Sequence, residues 1–68
     1  MNRRPVKSSN VVSAGYDTKE RILEVEFTSG VYQYYNVDEK VYKNLLSAPS
    51  AGKFIYSDVR GRYRFKKI

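Results

Sequence analysis

RILEVEFTSGVYQYYNV, residues 21–37, decides the fold. From 21 to 27 the side chains alternate, with Leu23, Val25 and Phe27 on one face and Glu24 and Glu26 on the other. A period of two marks a strand with one face buried. Ser29-Gly30 follows as a turn pair, in which glycine supplies the positive φ of a tight hairpin. Val31, Tyr32, Gln33, Tyr34 and Tyr35 then form a second run of aromatic and β-branched residues suited to a pleated surface. Register decides where the rings go. A two-residue Ser29-Gly30 loop sets Tyr32 and Tyr34 opposite Phe27 and Val25, on the buried face. A three-residue loop of Thr28, Ser29 and Gly30 turns Tyr35 inward instead. The first register is preferred, because it lays two large rings over Leu23, Val25 and Phe27.

Working outward, residues 9–17 read as a strand with Val12, Ala14 and Tyr16 on one face and Val11 and Ser13 on the other. Gly15 within it signals a bulge or the close approach of another backbone. Residues 17–20 turn into the hairpin, giving a three-stranded antiparallel meander over about 10–17, 21–27 and 31–37. The period then changes. Val41, Leu45 and Ala48, with Tyr42 and Leu46 beside them, form one helical stripe over 38–48. Asp38 is placed as its N-cap, Glu39 complements the helix dipole, and Val37 and Tyr42 are spaced as a hydrophobic staple. Pro49 stops the helix. Ser50 caps a short second helix to about residue 57, in which Gly52 implies a close neighbour. Residues 61–66 form a last strand, with Arg62, Arg64 and Lys66 outward and Tyr63 and Phe65 inward. The whole is an α+β domain, a meander followed by two short helices and a basic edge strand. The first seven residues, MNRRPVK, read as a flexible basic tail before a domain spanning 8–68.

Sixty-eight residues make at most one domain, and a chain this short buries only about 60% of its unfolded surface. Of the 41% apolar residues, seven are tyrosine, whose hydroxyl asks for water or a partner. The chain has neither cysteine nor histidine. A disulfide framework and the usual zinc and iron ligands are therefore excluded, and no metal or cofactor is expected. No long apolar run suggests a membrane span, and the first ten residues lack the core of a signal peptide, so a cytoplasmic location is expected. Thirteen Lys and Arg against seven Asp and Glu give a net charge of +6, which favours an anionic partner, nucleic acid first.

Enzyme constellations are mostly missing. Without His or Cys the commonest general base and activated nucleophile are unavailable. Gly52-Lys53 resembles the end of a phosphate loop, but Phe54 stands where Ser or Thr is required and Ser47 where glycine is. A metal-free ribonuclease using Tyr, Arg and Lys stands only as a remote third class. The row of Arg60, Arg62, Arg64 and Lys66 is more informative. On one side of a strand these cations make a stripe roughly 20 Å long, at about 3.3 Å per residue, which matches several phosphates. Lys53, Arg3 and Arg4 are its expected neighbours in charge. Two readings compete. The row binds RNA, with Tyr63 and Phe65 supplying an aromatic-plus-basic mixture, or it guards a sheet edge against aggregation.

The assembled pattern resembles the KTSC domain family, small domains found at the C-terminus of some lysyl-tRNA synthetases and as free-standing bacterial and phage proteins. The matching pieces are Ser8-Ser9 with Val11-Val12, then Gly15-Tyr16-Asp17, Leu23-x-Val25-x-Phe27, Gly30, Tyr32-x-Tyr34 and Val37. They continue with Val41-Tyr42, Leu45-Leu46, Ala48-x-Ser50-x-Gly52, Phe54 and Tyr63. Asp38 stands where the family's pattern has proline, a change that leaves a good helix cap. The resemblance implies a non-catalytic module, brings no catalytic residues, and suggests RNA through its attachment to a tRNA-charging enzyme. The expected function is therefore RNA binding through the basic strand. The alternative is a protein-interaction module that docks a partner by an edge strand or by exposed tyrosines.

Overall fold

The computed structural model describes residues 1–6, 8 and 10–68; Lys7 and Ser9 lie outside the described residues. In chain order the elements are β1 (Arg4–Pro5), β2 (Val11–Asp17), β3 (Ile22–Phe27), β4 (Gly30–Tyr34), α1 (Glu39–Ser47), α2 (Ala51–Phe54), a π-helical segment (Ile55–Val59) and β5 (Phe65–Lys67). The strands form one antiparallel sheet in the order β1-β2-β3-β4-β5. The helices cover one face of it, and Leu45, Ala51, Ile55 and Val59 meet Val11, Ala14, Leu23, Val25, Tyr34 and Val37 in a single core. The fold is α+β, as the pattern implies.

The hairpin keeps the expected faces but changes its partners. Phe27 lies opposite Gly30, Val25 opposite Tyr32 and Leu23 opposite Tyr34. The loop is therefore Thr28-Ser29, one residue before the expected one, which shifts the register by two, and Gly30 opens β4 at φ +151 instead of closing the turn. A slip of two leaves every side chain on its own face. Tyr34 is accordingly buried, at 4% exposure, and Tyr32 is half-buried beside it. β4 ends at Tyr34, short of the expected residue 37, because Asn36 takes the left-handed conformation at φ 61 and turns Val37 into the core.

β2 departs from its expected faces. The register shifts between Val11 and Ser13, so one residue bulges out of the ladder and the alternation reverses. Val11 is 1% exposed and joins Ala14 in the core, while Val12, expected on the same face as Ala14, is 44% exposed. Gly15 bears out the close approach its type implied. A Cβ there would lie 2.4 Å from the Asn2 carbonyl oxygen and 3.0 Å from Arg3 Cγ. The segment expected as a tail thus lies over the sheet face opposite the helices, and Arg4–Pro5 pairs with β2 through Ala14 and Ser13.

Asp38 caps α1, its Oδ1 accepting from the Lys40 amide at 3.0 Å. Tyr42 stacks on Tyr16 at 5.7 Å between ring centroids. The Tyr16 hydroxyl donates to the Val37 carbonyl, tying β2 to the entrance of α1. Ser50 caps α2 through the Lys53 amide. A Cβ on Gly52 would meet Asn10 Oδ1 at 2.7 Å and Ser8 Oγ at 3.0 Å, so the residue is small because the start of β2 crosses it. The second helix runs past its expected end as the π-helical segment, closed by the Arg60 amide donating to the Ile55 carbonyl at 2.8 Å.

Candidate functional site

The hairpin end of the sheet and the last residues of the chain enclose a groove of about 460 Å³. Phe27, Tyr32, Tyr34 and Phe65 line it with rings, and Asn10, Ser29, Arg60 and Gly61 complete its wall and rim. Phe27 meets Tyr32 edge-on at 5.5 Å, and Phe65 leans against Tyr32 and Tyr34 at 5.9 Å from each. Phe65 is set there by the β4–β5 register, which puts it opposite Tyr34, yet it stays 60% exposed because β5 is only three residues long and, among the described residues, no strand lies beyond it in the sheet.

Two cations flank the rings. Lys67 lies opposite Tyr32, with Nζ 6.0 Å from the ring centroid, and its stem crosses Gly30, where a Cβ would be 2.7 Å from Cε. Arg60 leaves the π-helical segment with its guanidinium 5.3 Å over the Tyr56 ring. A π turn spends one more residue than an α turn, and such turns recur at functional sites. Here it brings Arg60 to the groove wall, between Tyr56 and Tyr34. Burial raises the Tyr34 hydroxyl above its ordinary pKa, and the Arg60 charge opposes part of that rise.

The expected site residues do not make one row. The stretch 60–66 alternates in sequence, but Gly61 at φ +80 and the turn around it occupy its first half. Arg62 is exposed in that turn, its amide donating to Val59. Arg64 is exposed just before β5, its carbonyl accepting from the Tyr35 amide at 2.9 Å. Lys66 lies opposite Gln33, on the face away from the groove. Lys53 is exposed on α2. Arg3 is engaged elsewhere, since its Nε lies 3.5 Å from Glu24 Oε2. Glu24 is only 9% exposed and also accepts from Gln33 Nε2 at 2.9 Å. Arg4 sits on β1, four strand steps from β5, roughly 19 Å at about 4.8 Å per step. The structure therefore places Arg60 on the groove, leaves Arg62 and Arg64 exposed in the segment between Arg60 and Phe65, and sets Arg3, Arg4 and Lys66 apart from it.

Sequence reasoning missed Lys67, Phe27, Asn10 and Ser29 as lining or flanking residues. Lys67 shares parity with Tyr63 and Phe65, and that was its one available signal. Among the described residues, no group of three or more acidic side chains gathers to hold a metal ion. Among the same residues, no helix is long and apolar enough to cross a membrane.

Comparison with known proteins places this geometry among relatives. Residues 7–63 match the model of the KTSC domain. The crystal structure of a KTSC domain protein from Yersinia pestis superposes with a TM-score of 0.95 at 41% identity, covering 98% of this chain and 96% of that one. A Stutzerimonas stutzeri protein is 46% identical over 70 residues, spanning 100% of this chain and 99% of its own length. A lysine–tRNA ligase of Nostoc punctiforme is 32% identical over 63 residues, which cover 91% of this chain but 11% of the ligase.

Proposed function

This chain belongs to the KTSC domain family, and from that premise we propose that it is a binding module for single-stranded RNA, without catalysis of its own. The observation that carries the reading is a groove lined by rings with Arg60 in its wall and Lys67 against Tyr32, and with the exposed Arg62 and Arg64 in the segment that joins Arg60 to Phe65. Residues 59–68 hold five of the chain's thirteen cations and no acid, so the field over the groove attracts an anion. Arginine and lysine hold phosphates, while aromatic faces take unpaired bases. The lysine–tRNA ligase that carries a similar stretch adds support, since its name puts tRNA among what that enzyme acts on.

The test is the salt dependence of binding to a short single-stranded RNA, followed by fluorescence anisotropy. About four phosphate contacts predict a slope of log affinity against log salt near −3, at about −0.7 per phosphate. Replacing Arg62 and Arg64 together by serine should shallow the slope by about 1.4. The thermal midpoint should hardly change, because exposed charges contribute little to stability. A protein that binds no RNA at low salt, or binds it unchanged after the double substitution, leaves the cations as protection for the open edge of β5. Strand addition by a protein partner at that edge is then the surviving reading.

A further inference from the structure

We infer that the groove is a seat for one unpaired RNA base, stacked on Phe65 and Tyr32, with the neighbouring phosphates on Arg60 and Lys67. This rests on the RNA reading above and names the part of the RNA that the groove takes. Isolated apolar side chains on a surface need no explanation, but Phe65 is not isolated. One of its sides leans on Tyr32 and Tyr34 at tilts of 48° and 40°, and it remains 60% exposed. Tyr32 continues to Phe27, so four rings in contact border one concavity.

Size narrows the occupant. About 460 Å³ lies toward the lower end of the roughly 300–1,000 Å³ that small-ligand sites span, room for a nucleoside and not for a double helix. A-form duplexes keep their bases stacked within the helix, whereas a single strand can turn one out onto an aromatic face. Charge narrows it further. Lys67 lies against Tyr32 on one side, and Arg60 forms the wall on the other. Cations on either side of a ring suit a base flanked by two phosphates. Asn10 and Ser29 bring an amide and a hydroxyl to the same groove, chemistry that can hydrogen-bond the edge of a base.

The experiment uses a single-stranded RNA octamer carrying 2-aminopurine at its centre, whose fluorescence falls when the base stacks. Wild type should quench it on binding. Phe65→Ala should weaken binding about 5- to 150-fold, the range found for loss of one base–aromatic stack, and should abolish the quench. Phe65→Leu keeps apolar bulk without a π face and should behave like Phe65→Ala, while Phe65→Trp should restore both signals. All three leave the salt slope intact, since no cation is removed. Should Phe65→Ala bind and quench like wild type, the RNA is held by the cations alone; the base seat is then wrong and the RNA reading stands. A duplex of the same sequence that competes equally well also overturns the base seat. If wild type binds no RNA at low salt, both readings fail. In that case, a wild-type dimer in sedimentation that Phe65→Ala dissolves would give the groove to a second copy of the chain.

Discussion

Gly15→Ala tests the placement of the N-terminal residues. The new methyl would begin 2.4 Å from the Asn2 carbonyl oxygen, about 1 Å short of the 3.4 Å at which ordinary contact starts. Gly15 is in the middle of β2, held by β3 opposite Glu24, so the sheet cannot retreat and residues 1–3 must move. Overpacking of this kind costs about 1–3 kcal/mol. A ceiling applies, because the segment can lift away. Lifting loses the Arg3–Glu24 pair, worth at most about 1 kcal/mol at a partly exposed site, together with the packing of Asn2 and Arg3 on Gly15. The expected loss is therefore about 1–2 kcal/mol. For a domain of this size that lowers the melting midpoint by about 4–16 °C, at roughly 4–8 °C per kcal/mol. Calorimetry or chemical denaturation measures it. In a chain without residues 1–3 the same substitution should cost nothing, and a double-mutant cycle isolates the contact. A loss as large in the shortened chain, or none in the full one, would refute this placement of Asn2 and Arg3.

Two further predictions concern Tyr34. Its ring is in the core, so Tyr34→Ala should cost about 3–5 kcal/mol, against a total of roughly 3–10 kcal/mol at about 0.05–0.15 per residue; urea melts should find it largely unfolded, and a normal midpoint would remove the ring from the core. Burial also raises the hydroxyl of Tyr34, and that of Tyr16, above the ordinary 10.0. The native state then keeps a proton that the unfolded chain releases, so the contribution is intact below pH 10 and is lost as pH rises beyond it. Urea melts from pH 8 to 11 should show that decline, shallower in Tyr34→Phe, and equal declines in the two proteins would exclude Tyr34 as a source.

The hairpin shows what a sequence pattern can and cannot specify. Alternation determines parity, so Leu23, Val25 and Tyr34 reach the core as expected and Tyr32 packs against it from the same face. It does not distinguish registers two residues apart, so the cross-strand partners of Tyr32 and Tyr34 differ from expectation. At β2 a single bulged residue reversed the parity, and neither Val11 nor Val12 carries a mark of it. The basic stretch failed for another reason. RGRYRFK, residues 60–66, alternates, but helix overran into its approach and Gly61 turned it, so only Phe65–Lys67 became strand. Asp38, Ser50 and Pro49 acted where they stand, because caps and breakers work through neighbouring backbone. The groove was illegible for the opposite reason, since Asn10, Phe27, Tyr32, Arg60 and Phe65 meet only after the chain has folded back.

The strand order has a consequence for the sequence of events in folding. β1 to β4 are neighbours in the sheet in the order in which they are synthesised. β5 reaches β4 only across everything between Tyr34 and Phe65, both helices included. Local pairings form readily, while closing a long loop carries an entropic delay. On a ribosome, Phe27, Tyr32 and Tyr34 emerge and pair while Arg60, Phe65 and Lys67 are still unmade. The groove is therefore completed only once Phe65 and Lys67 have been made, and a nascent domain short of residue 65 holds its hairpin rings open to water.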